Sequence, residues 1–369
     1  MAYCKLNCKA VLKGRGFRPI FLMTRLIRLT TLGIELAHKS NFPDGCPILK
    51  AWHGNYFPAF NQTIQENFQI VENQDADAFL LPSNVSFYTP NRLKEIGEIV
   101  TDLKIPSIGF DISKESRKPK WLDYIIRFSW YRQIQESGGI ISPAYLNSDG
   151  FDLVTETNIR NWEPTPKEII PSVSFCGREG GAVGLAVWKI LPRSLTRWMA
   201  TDFFCSTTKG IRMTCCYPLR IDAMEIIKKD PRIKTDFVGR GSAGMQPGVQ
   251  GNQRQEFVDN LLRNAYALCV RGTDNYSWRF YEALSLGKIP VLIDTGCLLP
   301  MEDEIAWDNF ILRVPVAQLP ELPDRLLAWH SSFSPQAFGE LQRDLRAIFQ
   351  RIRPANFHLE MFRKILPIA

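Results

Sequence analysis

The segment best suited to chemistry is a polar turn at residues 271–277 (RGTDNYS). The apolar run at 266–270 predicts a buried strand before this turn, and Ser277 is a typical first residue for the helix that follows. Such a turn directs backbone N–H groups and the positive end of a helix at one place, which favours binding of a phosphate. Arg271 and Arg279 could add contacts to a diphosphate, because a guanidinium group matches two phosphate oxygens.

Glu282 is a second chemical group on the same predicted helix. It follows Arg279 by three residues, so both side chains can project from one face of the helix. A carboxylate there suits the two hydroxyls of a ribose. The same spacing also fits an ordinary solvated Arg–Glu ion pair, and both interpretations stay open.

The first half of the chain alternates between strand-like and helix-like segments. Apolar runs at 46–52 and 76–81 predict buried strands, and so does the run at 106–110. Residues 91–103 have the spacing of an amphipathic helix, and residues 20–38 also carry apolar side chains at helical spacing. This alternation predicts βαβ units and a parallel sheet.

The second half repeats the pattern after a polar, proline-rich linker at 158–171. Apolar runs predict strands at 173–176, 233–238, 266–270 and 289–293, and helical patterns occupy 184–199, 254–264, 277–286 and 335–349. The chain is therefore expected to form two doubly wound α/β domains, with the active site in the cleft at the carboxyl ends of the strands.

Composition narrows the class of ligand. The 369 residues carry a formal net charge of +7, which suits an anionic partner. The clearest basic cluster, at 114–120, is short and interrupted by Glu and Pro, so we expect no nucleic-acid binding. The chain has only four His and no Cys-x-x-Cys or His-x-x-x-His spacing, and we expect no metal site.

Cysteine use and hydropathy bear on the compartment. Nine cysteines, several of them in apolar runs, are typical of reduced core thiols. No stretch is apolar over the roughly 18 residues that a membrane span needs, and no secretory signal pattern follows Met1. We therefore expect a cytoplasmic protein.

One long motif resembles a known family. The run RFYEALSLGKIPVLI at 279–293, followed by LPMEDEIAW at 299–307, is similar to the pattern of the exostosin family of glycosyltransferases. Weaker similarity covers 74–82 and 175–178. The resemblance implies a GT-B fold, which has two facing Rossmann-like domains and a cleft between them.

The resemblance also divides the chain and assigns roles. It implies an acceptor-binding domain at 1–160 and a nucleotide-sugar-binding domain at 161–369, whose last helix packs back on the first domain. Glu282 would then bind the donor ribose. The donor diphosphate or the loop around it would contact Arg178, Arg271, Ser277 and Arg279, with Arg220 and Arg240 as further anion-binding candidates that could equally be surface arginines. Enzymes of this fold use such side chains in place of a bound cation, so no cofactor is expected.

The general base must come from the acceptor domain, because a sugar hydroxyl loses its proton as it attacks. Asp111 directly follows the predicted strand at 106–110, although it could also be an ordinary turn residue. His53 follows the run at 46–52, although a lone His is often structural. The base is left open between these two.

The function implied is transfer from a nucleoside diphosphate sugar, most simply a UDP-sugar, to a glycan or lipid-linked saccharide during surface polysaccharide synthesis. We expect a bacterial-type cytoplasmic enzyme, and the Arg-bearing helical pattern at 17–36 could place it against the inner face of the membrane. The alternative is a catalytically silent protein that keeps the fold and only binds a glycan or a nucleotide.

Overall fold

The computed structural model describes residues 25–34, 46–54, 58–72, 75–111, 118–132, 134, 136–144, 162–178, 192, 194–195, 209–240, 251–272 and 274–366. These residues form two α/β units. The first unit consists of β1 (Ile27–Thr30), α1 (Pro47–Trp52), α2 (Pro58–Asn67), β2 (Phe68–Ile70), β3 (Ala78–Asn84), α3 (Pro90–Thr101), β4 (Ser107–Phe110), β5 (Tyr124–Arg127) and β6 (Gly139–Ile141).

The second unit follows the linker. Its elements are β7 (Ser172–Arg178), α4 (Lys209–Lys228), β8 (Lys234–Arg240), α5 (Gly251–Leu262), β9 (Tyr266–Cys269), α6 (Trp278–Ser285), β10 (Ile289–Asp294), β11 (Leu312–Pro315), α7 (Leu322–Ser331) and α8 (Pro335–Ile352). A final helix, α9 (Pro354–Ile365), ends the described chain.

Each unit is built on one parallel sheet. The first sheet has the order β2-β1-β3-β4-β5-β6 and the second has the order β11-β10-β9-β7-β8. Every strand pair within the two sheets is parallel. Strands such as β9 and β10 are buried on both faces, as their unbroken apolar runs predict. The prediction of an α/β fold of the GT-B type, with two parallel sheets and interspersed helices, is confirmed.

Two local predictions in the first unit are wrong. Residues 47–52 form a helix instead of a strand, because Pro47 occupies its first position, where a proline fixes a helical φ and loses no hydrogen bond. Residues 27–30 form strand β1 inside the region expected to be helical, with Ile27 and Leu29 buried. The rest of the pattern at 17–36, and the predicted helix at 184–199 apart from a few positions, lie outside the described residues.

The last helix crosses back to the first unit. Phe357, Met361 and Phe362 of α9 belong to the same buried cluster as the core of the first sheet. His358 is fully buried and stacks on Phe110 of β4, with ring centroids 5.8 Å apart. The core of the first unit is thus completed by the end of the chain.

The linker is tied to the second unit. Trp162 donates its indole N–H to the carbonyl of Leu286 at 2.7 Å and covers the backbone of Gly287. Thr165 accepts a hydrogen bond from the buried Nζ of Lys288 at 2.5 Å, and Lys288 also donates to the carbonyl of Leu262 at 2.9 Å. Burial lowers the pKa of Lys288 to about 8.

Over the described residues, no helix combines the length and the apolar character needed to span a membrane.

Candidate active site

The strand order of the second sheet indicates where a ligand would bind. Strand β7 lies between β8 and β9, so the chain winds outward in both directions from the β7–β9 pair. In parallel α/β sheets, ligands bind outside the carboxyl ends of the strands at such a reversal. Here that position lies beside Gly177 of β7 and Arg271, which is two residues after the end of β9.

Arg279 reaches this position from the first turn of α6. Its guanidinium carbon lies 4.0 Å from the centroid of the Phe175 ring, and its Nη2 donates to the carbonyl of Cys176. Gly177 makes room for it. That residue has φ +153°, and a Cβ there would stand 2.8 Å from Nη2 of Arg279. A residue with a side chain would therefore displace the guanidinium group.

A second arginine shares the same ring. Arg220 of α4 places its guanidinium carbon 5.6 Å from the centroid of Phe175 and donates to the carbonyl of Arg271 at 3.0 Å. Burial and the neighbouring charge of Arg220 lower the pKa of Arg279 to about 10. Within the described part of the chain, no carboxylate forms an ion pair with Arg279. Two cations thus converge on one buried ring.

Arg271 turns toward the other unit. Its side chain is 2% exposed, and its Nη2 donates to the hydroxyl of Tyr131 at 3.3 Å. Tyr131 belongs to the segment after β5 in the first unit, so the two units meet at the carboxyl ends of both sheets. Arg271 therefore lies at the contact between the two units.

Glu282 has a different partner from the one that spacing suggested. Its Oε1 accepts from Nη1 of Arg254 on α5 at 2.8 Å, and the ion pair is largely buried. The interpretation of Glu282 as half of a solvated pair with Arg279 is therefore wrong. Its role toward a ribose stays a prediction. Arg254 was not predicted from the sequence, because it lies on a neighbouring helix with no motif around it.

The remaining donor candidates lie at the same edge of the sheet. Ser277 is buried directly before α6, and its side chain makes no capping hydrogen bond to the first turn of the helix. Arg178 and Arg240 end β7 and β8 and are partners in the register of those strands. All seven predicted donor residues thus lie on β7, β8, α4, α6 or the turn after β9.

The two candidate bases differ in their surroundings. Asp111 follows β4 at its carboxyl end, is 1% exposed, and donates its backbone N–H to the carbonyl of Ile126 at 2.9 Å. His53 is exposed and ends helix α1, so the argument that placed it after a strand fails. Asp111 therefore has the better topological position.

A cavity opens where the units meet. It has a volume of about 440 Å³ and is lined by Arg127, Trp130, Arg132, Glu136 and Leu298, among others. Leu298 comes from the second unit and the other named residues come from the first.

Among the residues that the structure describes, no group of three or more His, Cys, Asp or Glu side chains is placed to hold a metal ion.

Comparisons with known proteins agree with the motif. The Exostosin GT47 domain family matches residues 224–328, which include the run at 279–307. A probable glycosyltransferase of Arabidopsis thaliana is 32% identical over 113 residues, covering 30% of this chain and 21% of that protein. Exostosin-1 of Drosophila melanogaster is 34% identical over 71 residues, covering 19% of this chain and 9% of its own. The chain thus spans about a fifth of the first relative and about a tenth of the second.

One solved structure aligns over most of the chain. A glycosyltransferase from Rickettsia africae ESF-5 covers 86% of this chain and 93% of its own, at 11% identity and a TM-score of 0.35. At that score the likeness adds nothing to the strand orders described above.

Proposed function

We propose that this chain, whose residues 224–328 match the Exostosin GT47 domain family, is a glycosyltransferase using a nucleoside diphosphate sugar, in the first instance a UDP-sugar. The acceptor is a saccharide. One observation of the site carries the proposal. The guanidinium groups of Arg279 and Arg220 both lie near the ring of Phe175, and no carboxylate among the described residues pairs with Arg279.

Two neighbouring cations in a buried place repel each other, and both lose hydration there. A diphosphate bound between them would relieve both costs through charge-assisted hydrogen bonds. The position at the reversal of the second sheet supports the same ligand, because nucleotides bind at such positions in doubly wound folds. Arg271 and the open first turn of α6 would add further donors.

The reaction follows from these positions. An acceptor hydroxyl oxygen attacks the anomeric carbon, the bond from that carbon to the diphosphate oxygen breaks, and the hydroxyl proton passes to a base. The departing diphosphate gains negative charge, so fixed cations beside it lower the barrier. We assign the base to Asp111 ahead of His53, because Asp111 lies at the carboxyl end of β4. Glu282 is proposed to accept hydrogen bonds from the donor ribose.

The acceptor and the compartment are further parts of the proposal. We infer a glycan or lipid-linked saccharide of a surface polysaccharide, seated toward the cavity beside Trp130. A cytoplasmic location, with peripheral contact at the inner face of the membrane, agrees with the reduced thiols of Cys46, Cys176, Cys269 and Cys297, all of which are buried. Burial raises the pKa of the Cys46 and Cys269 thiols to about 12, which keeps them unreactive.

The test is a panel of UDP-, GDP- and other nucleotide sugars, read by thermal shift and by nucleotide release, with and without EDTA. A ligand that binds the native state raises its apparent stability. We expect one nucleotide class to stabilise the protein, EDTA to leave the shift unchanged, and Arg279→Gln to abolish it. Glu282→Ala should weaken donor binding as well.

The matched control is Arg325→Gln, which removes a half-buried arginine of α7 whose ion pair is with Glu321, directly before the helix. It should bind the donor like the wild type. A protein that binds a nucleotide sugar but never releases nucleotide, with every acceptor tried, would support the silent binding protein instead. A wild type that no nucleotide sugar stabilises would refute the proposal.

A further inference from the structure

The donor turn is held by the first unit. Asn275 is fully buried, and its backbone N–H donates to Oγ of Ser129 at 2.8 Å. Its side-chain Nδ2 lies 3.4 Å from the carbonyl oxygens of Trp130 and Thr295, and its Oδ1 accepts from the Thr295 hydroxyl at 2.5 Å. Residues 129 and 130 come from the segment after β5. That segment is therefore bonded directly to the turn between β9 and α6.

A second set of bonds joins the same segment to the loop after β10. The backbone N–H of Arg132 donates to the carbonyl of Gly296 at 2.8 Å, and Tyr131 forms an antiparallel bridge with Cys297. The guanidinium of Arg132 binds both carboxylate oxygens of Glu302 at 2.8 Å. Residues 129–132 are thus bonded to two loops of the second unit, the turn before α6 and the loop after β10, and these bonds hold Tyr131 in place.

The hydroxyl of Tyr131 accepts the hydrogen bond from Arg271 within this frame. The tyrosine is 1% exposed, and the guanidinium carbon of Arg271 lies 5.8 Å from its ring centroid. The carbonyl of Arg271 in turn accepts from Arg220, which contacts the same Phe175 ring as Arg279. One chain of contacts therefore runs from a tyrosine of the first unit to the arginines at the end of the second sheet.

We propose that Tyr131 is a positioning residue of the donor site. By orienting Arg271, it sets the geometry in which that guanidinium meets the diphosphate, so the first unit takes part in donor binding as well as in acceptor binding. The inference rests on the proposed function. It adds that donor affinity depends on a residue outside the unit that carries the GT47 match.

The experiment compares Tyr131→Phe with the wild type by titration calorimetry, using UDP as the ligand. The substitution keeps the ring and removes only the hydroxyl. We expect UDP to bind about two- to tenfold more weakly, which is the range for loss of one ordinary hydrogen bond. Uridine has no phosphate to meet Arg271, so its affinity, measured by competition with UDP, should be unchanged.

Tyr124→Phe is the matched control, because Tyr124 lies on β5 of the same unit. Its hydroxyl forms no hydrogen bond with the described residues. It should bind UDP like the wild type. Equal affinity of Tyr131→Phe and wild type for UDP overturns the inference while leaving the proposed function intact. An equal loss for UDP and uridine also overturns it, because that result indicates a general structural change. If the wild type binds no UDP, the proposed UDP-sugar donor fails, and the inference fails with it.

Discussion

Replacing Lys288 by methionine should change how the stability of the protein depends on pH. Lys288 is 2% exposed and donates to two neutral oxygens, the hydroxyl of Thr165 and the carbonyl of Leu262. Within the described ranges no carboxylate pairs with this buried ammonium group, and burial lowers its pKa from 10.5 to about 8. The folded state holds this proton less tightly than the unfolded state does.

The size and sign of the effect follow from that difference. Below pH 8 the lysine is charged in both states, and burying the charge lowers the free energy of unfolding by about 3 kcal/mol. As the pH rises from 8 to 10.5, the folded state loses its proton first and this cost disappears. Methionine has no such proton. The free energy of unfolding of Lys288→Met, relative to wild type, should therefore fall by about 2.5 kcal/mol between pH 7 and pH 10.

Urea unfolding at the two pH values measures this quantity. Lost hydrogen bonds to Leu262 and Thr165 contribute equally at both values, and other titrating groups cancel in the difference. Lys94→Met on α3 is the control, since that side chain is 80% exposed. Its difference from wild type should be the same at pH 7 and pH 10. If the difference for Lys288→Met is also the same at both values, Lys288 is not a destabilising buried cation and the reasoning is refuted.

Three further substitutions test other parts of the structure. Gly177→Ala should displace Arg279 and weaken UDP binding at least tenfold in calorimetry, because the new Cβ would stand 2.8 Å from Nη2; unchanged affinity would contradict the placement of that guanidinium. Gly287→Ala should lower the free energy of unfolding by about 2–4 kcal/mol in urea, since φ is +62° and the new methyl would overlap the ring of Trp162. Asn275→Ala should cost about 2–4 kcal/mol in the same assay, because it leaves buried polar groups of both units without their partner; a change below about 0.5 kcal/mol would show that this junction contributes little.

The strands of the second unit could be predicted from the sequence because they are buried on both faces. Runs such as Tyr266–Cys269 and Ile289–Asp294 admit few other structures. The first unit was less predictable. At 27–30 the residues alternate as IRLT, which fits a strand, yet the apolar spacing over a wider window fits a helix. Pro47 indicated the start of a helix, but the apolar run after it favoured a strand, and the strand was predicted.

The candidate site shows the same limit. Arg279 and Glu282 could be selected from one motif, whereas the pairing of Glu282 with Arg254 depends on how two helices pack. The contact of Asn275 with Ser129 joins positions 146 residues apart, and no local pattern encodes it. Local propensity specifies elements, and only the packed structure decides which side chains meet.

The return of α9 to the first unit has a consequence for synthesis on the ribosome. The buried cluster that holds Phe68 and Phe110 also contains Phe357 and Phe362. Those two aromatic residues emerge about 200 residues after β6 has been made. At ~5–20 residues per second, the nascent first unit waits roughly 10–40 s with an apolar face uncovered. It is thus the amino-terminal half that finishes folding last, and a nascent chain stopped before Pro354 should engage chaperones through that face.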